Sequence, residues 1–356
     1  MKNLAKLSEE KIKKIWAKSE IFLHYTGHMY GIGAAALNQQ ACRKINDLKQ
    51  RDGKGFIILI PEISWLERYG LEYNHKFEKI IKQFWPANLT LILKDSQSKF
   101  SHLAMNGTVA VRIPDNPELR EFIRTVDEPI VSTSINNSGE SALTSLSKIL
   151  KLKWFDFSFL PHTPEIAEGE PSTILNLSKE NLEIIREGRF ALSNFQEALA
   201  HPKIIFVCTA NICRSPMGDY IARKIVEDEN LPYRIGSAGF LEGGIKISQN
   251  SYKVLKEQGY DASQHISTSL TKELVDDCWL ILTMTQEHKI RLKELDPNLG
   301  NKIFTLSEYT GYTLDIDDPY GLEISFYRKT FDAINTRVRE MFDLIVNLEN
   351  PKREGV

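Results

Sequence analysis

Ile204-Ile205-Phe206-Val207-Cys208-Thr209-Ala210-Asn211-Ile212-Cys213-Arg214-Ser215-Pro216 decides how the second half of this chain folds. A short apolar run rich in β-branched residues reads as a buried parallel strand that stops at a cysteine. Seven residues later a helix begins, with Pro216 in its first turn. A loop between a strand end and a helix N-terminus turns several backbone N–H groups into one concavity, where the helix dipole also favours negative charge. That concavity suits a phosphate. Arg214 adds a planar fork able to hold two phosphate oxygens, and Cys208 sits where those donors favour its thiolate. A thiolate beneath a clamped phosphate is a nucleophile set for phosphoryl transfer.

Outward from this stretch, strands at 203–208, 233–237, 279–284 and 302–306 alternate with helices near 216–229, 248–258, 270–277 and 286–294. That alternation predicts an α/β fold with a doubly wound, four-stranded parallel sheet. A last helix carries Tyr327, Phe331, Ile334, Val338, Met341, Ile345 and Leu348 as one apolar stripe, which is core packing. Leaving-group chemistry needs an acid from a loop at a strand C-terminus, and Asp315-Ile316-Asp317-Asp318-Pro319-Tyr320-Gly321 is such a loop. Asp318, held by Pro319, is the candidate acid, while Asp315 and Asp317 read as solvated turn residues. Tyr320 and Ile212 can wall the site for an aryl phosphate.

The chain has 356 residues, 42% of them apolar, enough for two domains with separate cores. The boundaries read as 1–192, a short helix and linker at 193–202, and 203–356, with Ser193 capping a helix from Asn194 to Ala200 ahead of His201-Pro202. Phe195 and Leu199 share a face of that helix. No apolar segment reaches twenty residues and the N-terminus carries no apolar signal, so a soluble, cytoplasmic protein without a membrane partner is expected. Four cysteines fit a reducing compartment better than a disulfide scaffold. Neither half is basic enough to announce nucleic acid, although residues 1–100 carry 17 basic against 10 acidic residues, which leaves room for an anion-binding face.

In the first half, Ser8-Glu9-Glu10 opens a helix to about Lys18, and Glu20–Tyr25 reads as a strand. Tyr30-Gly31-Ile32-Gly33-Ala34-Ala35-Ala36 matches a loose G-x-G-x-x-A pattern before a helix running to about Gln50. A dinucleotide site would need an acidic residue closing the next strand, and Phe56–Ile60 ends in Pro61. Lys49-Gln50-Arg51 can converge on a polyanion, and the strands before Pro114 and Ser138 end in polar clusters that make a hydrogen-bonding floor.

Lys49-x-Arg51, Trp85-Pro86-x-x-Leu89-Thr90, Val111-Arg112-Ile113-Pro114, Thr133-Ser134-x-Asn136-x-Ser138-Gly139, Pro171-Ser172-Thr173-Ile174 and Ile185-Arg186-x-Gly188 stand in the order found in the threonylcarbamoyl-AMP synthase family, which residues 8–190 resemble. The resemblance implies a twisted α/β sheet around a basic cavity. It also implies condensation of L-threonine, bicarbonate and ATP, with Mg2+ accompanying the nucleotide and no tightly bound cofactor, and a product passed to tRNA-modification machinery. By resemblance Lys49, Arg51 and Arg112 neutralise the triphosphate, Ser134 and Asn136 orient threonine and the adenylate, and Ser172 and Arg186 close the nucleotide side. Thr26 is what remains of Pro-Thr-Glu/Asp-Thr-x-Tyr-Gly, which here reads Tyr25-Thr26-Gly27-His28-Met29-Tyr30-Gly31. Gly55-Phe56 and Pro86-Ala87-Asn88 depart from the family's Pro-Leu and Pro-Gly-Pro. A degenerate nucleotide- or RNA-binding module is the alternative for this half.

Residues 203–348 resemble the low-molecular-weight protein tyrosine phosphatases, through Val207-Cys208-x-x-Asn211-x-Cys213-Arg214-Ser215-Pro216, Ser237-Ala238-Gly239, His265-x-Ser267, Thr283-Met284 and Asp318-Pro319-Tyr320-Gly321. The resemblance implies a metal-free site acting on a phosphorylated protein. In it Cys208 attacks phosphorus, Arg214 stabilises the equatorial charge, Asp318 serves as acid and then base, and the Ser215 hydroxyl stabilises the thiolate. Asn211, Ser215, Ser237 and His265 would hold the loop. Ala210 replaces the family's usual Gly, and Ile212 replaces the Thr of related protein-arginine phosphatases, which favours an aryl substrate. Cys213 can pair with an oxidised Cys208. An arsenate reductase would need a further cysteine pair, and only Cys278 follows the loop. A phosphopeptide-binding domain is the non-enzymatic alternative.

Overall fold

β-Branched and aromatic residues recur through the first half in short runs, and these runs join one mixed sheet. In the computed structural model, which describes residues 2–18, 21–50, 56–136, 140–297, 299 and 302–349, the strands are β1 (Lys2–Asn3), β2 (Phe22–Tyr25), β3 (Tyr30–Ala35), β4 (Ile57–Leu59), β5 (Leu71–Glu72), β6 (Leu89–Asp95), β7 (Thr108–Arg112), β8 (Ile130–Ser134), β9 (Phe157–Phe159), β10 (Thr173–Asn176) and β11 (Glu183–Arg186). They lie in the order β1-β9-β2-β3-β8-β4-β7-β6-β10-β11, with β5 on β6. Parallel pairs (β1·β9, β2·β9, β4·β7, β6·β10) are mixed with antiparallel ones (β2·β3, β3·β8, β4·β8, β5·β6, β6·β7, β10·β11). Of the residues singled out above, Glu20, Arg51, Gly55 and 137–139 lie outside the described residues, as does the side chain of Leu348.

The loose glycine pattern at Tyr30–Ala36 forms no dinucleotide loop, as the missing acidic residue implied, because Tyr30–Ala35 is a buried strand. A Cβ at Gly33 would stand 2.4 Å from the Val131 carbonyl oxygen, so that glycine serves close packing between neighbouring strands. The helix that follows spans Gln39–Leu48, capped by the Asn38 side chain, and ends just before Lys49.

The chain divides into two units between Asn194 and Phe195. The helix at that point is Leu192–Ala200, so Ser193 lies inside it rather than at its cap. The Asn194 side chain instead accepts a hydrogen bond from the Ala191 N–H at 2.9 Å.

The second unit has β12 (Lys203–Cys208), β13 (Arg234–Gly239), β14 (Cys278–Thr283) and β15 (Ile303–Thr305), all parallel, in the order β13-β12-β14-β15. Period-two alternation divides β12 between two cores. Ile204, Phe206 and Cys208 face the helices Arg214–Asp228, Gln249–Glu257 and Ile324–Glu349, while Ile205 and Val207 face Val275, Leu292 and Leu299. The predicted stripe from Tyr327 to Ile345 is buried in the first of these cores. A Cβ at Gly218 would meet the Phe206 ring at 2.7 Å, so glycine lets the first helix lie directly on the central strand. That close approach fixes the loop between them. Among the described residues no helix is long and apolar enough to cross a membrane.

Candidate active sites

β12 carries Cys208 to its C-terminal end, and the chain turns through 209–213 into the helix that starts at Arg214. Asn211 makes the turn work: it takes a left-handed φ of 57°, which asparagine tolerates better than most residues, and it is fully buried. Its side-chain amide and its carbonyl oxygen are all engaged. Nδ2 donates to Ser215 Oγ at 2.9 Å, Oδ1 accepts from the Thr268 N–H at 2.8 Å, and its carbonyl oxygen lies 2.9 Å from His265 Nε2. A Cβ at Gly239 would stand 2.7 Å from the Ala210 carbonyl carbon and the Asn211 nitrogen, so the end of β13 supports the loop from behind only because that residue is glycine.

Ser215 Oγ lies 3.0 Å from Cys208 Sγ. Since it accepts from Asn211, its own proton is left for the sulfur or for the Ala238 carbonyl oxygen at 3.4 Å. At this distance the hydroxyl can donate to the sulfur. Arg214 is 4% exposed, donating through Nη1 to the Ile316 carbonyl at 3.1 Å and through Nη2 to Asp318 Oδ2 at 2.5 Å. The other Asp318 oxygen accepts from the Tyr320 N–H at 3.1 Å, so a turn holds the carboxylate at the rim. Tyr320 is 65% exposed and Ile212 is half-buried.

Ser237 is not drawn into this network. Its hydroxyl donates at 2.9 Å to Asp219, on the first helix, which also pairs with Arg223. Nor is Asp315 only a solvated turn residue, because its carboxylate accepts from the Gln286 N–H at 3.0 Å and steadies a helix start. Sequence reasoning missed His288, whose Nε2 lies 2.9 Å from Thr209 Oγ1 and whose Nδ1 lies 2.9 Å from Thr285 Oγ1. Burial, helped by the Arg214 charge, pushes its pKa down to about 4. The available signal was Thr285-x-x-His288 at a helix N-cap. Cys213 is buried against Ser248 Oγ at 3.2 Å, and burial raises its thiol pKa. All four cysteines are buried and free.

In the first unit, Thr26, Arg112, Ser134, Ser172 and Arg186 line one cavity of about 210 Å³. Lys49, 2% exposed, joins it through Ser134: Nζ donates to the Ser134 carbonyl and, at 2.8 Å, to Asn136 Oδ1. Ser134 Oγ also donates to that oxygen at 2.7 Å. Arg186 grips Ser172 through its carbonyl at 2.8 Å and its hydroxyl at 3.1 Å, and Ser172 Oγ lies 2.8 Å from Thr90 Oγ1. A Cβ at Gly188 would stand 2.4 Å from the Pro171 carbonyl oxygen, which accounts for a glycine two residues after Arg186. Burial lowers the pKa of both Arg112 and Arg186. Two guanidinium groups in one small cavity call for an anion between them.

The family described as Telomere recombination (Sua5, YciO and YrdC) matches residues 14–188, and the Low molecular weight phosphotyrosine protein phosphatase family matches residues 203–352. Over 190 residues the chain is 32% identical to a Methanocaldococcus jannaschii protein named for threonylcarbamoyl-AMP synthase activity, covering 51% of this chain and 89% of that one. Over 140 residues it is 38% identical to the protein-arginine-phosphatase of Bacillus subtilis, covering 39% of this chain and 93% of that one. The chain belongs to both families. The phosphatase unit is equally similar, at 39% over 133 residues, to a low-molecular-weight protein-tyrosine-phosphatase of Staphylococcus haemolyticus, covering 37% of this chain and 91% of that one. Both units therefore belong to enzyme families, and in each the candidate residues gather at strand ends, around the synthase cavity and after Cys208.

Proposed function

We propose that this chain is a bifunctional enzyme, forming threonylcarbamoyl-AMP in its synthase unit and hydrolysing protein phosphomonoesters in its phosphatase unit. For the phosphatase, the observation that carries the reading is the Ser215 hydroxyl at 3.0 Å from the Cys208 sulfur, with the Arg214–Asp318 pair beside it. The Cys208 thiolate attacks phosphorus, the ester P–O bond breaks, and Asp318 in its acid form gives its proton to the leaving oxygen. Arg214 then holds the equatorial oxygens of the transferring group. The Asp318 carboxylate next takes a proton from water, which attacks the phosphocysteine and releases phosphate and the thiolate. Asn211 and His265 keep the loop in shape throughout.

An aryl ester fits the apolar wall offered by Ile212 and the exposed Tyr320, and phosphotyrosine is the proposed substrate. The arginine-phosphatase relative motivates a second reading, phosphoarginine. Hydrolysis rates on one peptide carrying either modification decide between them, and a higher kcat/KM on phosphoarginine overturns the first. An unchanged rate with Cys208→Ser overturns the mechanism.

For the synthase, the carrying observation is the cavity that gathers Arg112, Arg186, Ser134, Ser172 and Thr26, with Lys49 bound to its wall. ATP supplies the polyanion, and L-threonine and bicarbonate the acyl part. No carboxylate lies among the cavity's described lining residues, so Mg2+ fits as a companion of the nucleotide's own phosphates. The product would serve tRNA modification, and the reduced cysteines suit the cytoplasm. Mass spectrometry on protein supplied with ATP, L-threonine and bicarbonate tests this, and absence of threonylcarbamoyl-AMP and pyrophosphate overturns it in favour of a nucleotide-binding module.

A further inference from the structure

The segment Tyr25–Gly31 departs from its family's pattern, and the structure gives the departure a physical shape. Gly27 takes a φ of 110°, and a Cβ there would stand 2.5 Å from Asp115 Oδ1. Asp115 thus fills the space that a side chain at position 27 would occupy. The next residue, His28, is 5% exposed and has a carboxylate on each ring nitrogen: Nε2 on Asp115, and Nδ1 on Glu168 at 2.7 Å. A neutral imidazole has one N–H and can donate to only one carboxylate, whereas two such contacts call for the imidazolium. On its other side Asp115 accepts from Arg112 Nη2 at 3.2 Å, and Arg112 also donates through Nε to the Ala87 carbonyl at 3.0 Å and lines the cavity. Charges therefore alternate along Glu168, His28, Asp115 and Arg112, ending in the cavity.

We propose that His28, through Asp115, positions the Arg112 guanidinium and sets the charge it presents, making His28 and Asp115 positioning residues for polyphosphate binding in the synthase unit. This rests on the reading that Arg112 meets the nucleotide's phosphates. With His28 protonated the four groups sum to zero. When it loses its proton the chain carries one negative charge more, next to Arg112, and a bound polyanion is opposed. The hydrogen bond to Asp115, set against burial, raises the His28 pKa, and Glu168 adds to the rise. Burial opposes ionisation of Asp115, yet His28 and Arg112 hold its carboxyl below the usual range. The charged groups facing His28 are Asp115, Glu168 and Arg112, with Glu170 nearby.

The experiment is ATP binding to the full chain by titration calorimetry between pH 6.5 and 9.5, with wild type, His28→Gln and Asp115→Asn. Wild-type affinity is expected to fall about three- to tenfold as pH rises past the raised imidazole pKa, the effect of one charge near a bound anion. Relative to wild type, His28→Gln is expected to flatten this profile. Asp115→Asn should flatten it too, and adding His28→Gln to Asp115→Asn should change nothing further. Parallel profiles in wild type and variants overturn the proposal, as does a divalent cation bound by the ATP-free protein and lost in His28→Gln, which would make His28, Glu168 and Glu170 ligands of a cation. Absence of ATP binding by wild type at every pH overturns the synthase reading itself, and this inference with it. If His28→Gln does not fold, the Asp115→Asn profile alone decides.

Discussion

The two units build their anion sites in opposite ways. In the phosphatase unit the nucleophile, the turn-forming Asn211, the thiolate partner Ser215 and the anion fork Arg214 all come from one strand–loop–helix stretch, with Asp318 and loop supports such as His265 and Thr268 arriving from elsewhere. In the synthase unit Thr26, Arg112, Ser134, Ser172 and Arg186 come from the ends of different strands. The first arrangement relies on backbone donors and a helix terminus, which recognise a phosphate with few side chains. The second, among the described residues, assembles its positive charge from side chains held by neighbours. Damage should therefore be concentrated on single residues in one unit and spread over many in the other.

The largest expected effect tests the concentrated site. Cys208→Ser should remove p-nitrophenyl phosphate hydrolysis altogether, because the hydroxyl lacks the thiolate's nucleophilicity at neutral pH. Asp318→Asn should lower kcat by about 10²–10⁴ while leaving burst formation of phosphocysteine visible with an activated aryl leaving group. A loss equal to that of Cys208→Ser would mean that Asp318 also builds the Arg214 site, through the 2.5 Å pair.

The distributed site should yield less to any one change. Lys49→Ala removes a buried cation that spans the Ser134 carbonyl and Asn136. It is expected to weaken ATP binding by about 10- to 100-fold, the range for a charge-assisted bond. A complete loss would show that Lys49 matters to this unit as Cys208 does to the other, and the contrast between the units would fail. Ser215→Ala is smaller again: it withdraws one neutral hydroxyl from the sulfur at 3.0 Å, so alkylation of Cys208 by iodoacetamide should slow by up to about tenfold.

This contrast also explains what was legible in the sequence. The four parallel strands of the phosphatase unit and the loop after Cys208 follow from local patterns, since each strand is a short apolar run, whereas their order β13-β12-β14-β15 is seen only in the structure. The sheet of the synthase unit has neighbours as distant as β1 and β9, and no local pattern announces that pairing. The glycines of Tyr30–Ala35 look like a turn signal, and only the Val131 carbonyl facing Gly33 reveals that glycine as packing. Ser237 was drawn to the loop by motif, yet Asp219 offered a nearer acceptor. The link from His28 to Asp115 spans 87 residues and had no signal at all.

Two buried histidines carry the comparison into stability. His288 has a hydroxyl on each ring nitrogen, whereas neither nitrogen of His24 has a partner among the described residues. Burial, reinforced by the Arg112 charge, pushes the His24 pKa from 6.5 down to about 3. The sign follows from proton counting. Below pH 6.5 the unfolded chain takes up a proton that the folded unit refuses, so the stabilisation is complete above pH 6.5 and is lost as pH falls toward 3. For one group the slope is at most about 1.4 kcal/mol per pH unit. His24→Phe keeps a ring beside Phe22, 5.1 Å away centre to centre, and has no proton to refuse. Calorimetric unfolding should show the acid dependence of the synthase unit's transition reduced by that slope, with the phosphatase transition unmoved. Equal acid dependence in wild type and variant would mean that His24 is protonated in the folded unit and paired with a carboxylate, which would place a second ionic histidine beside the one at position 28.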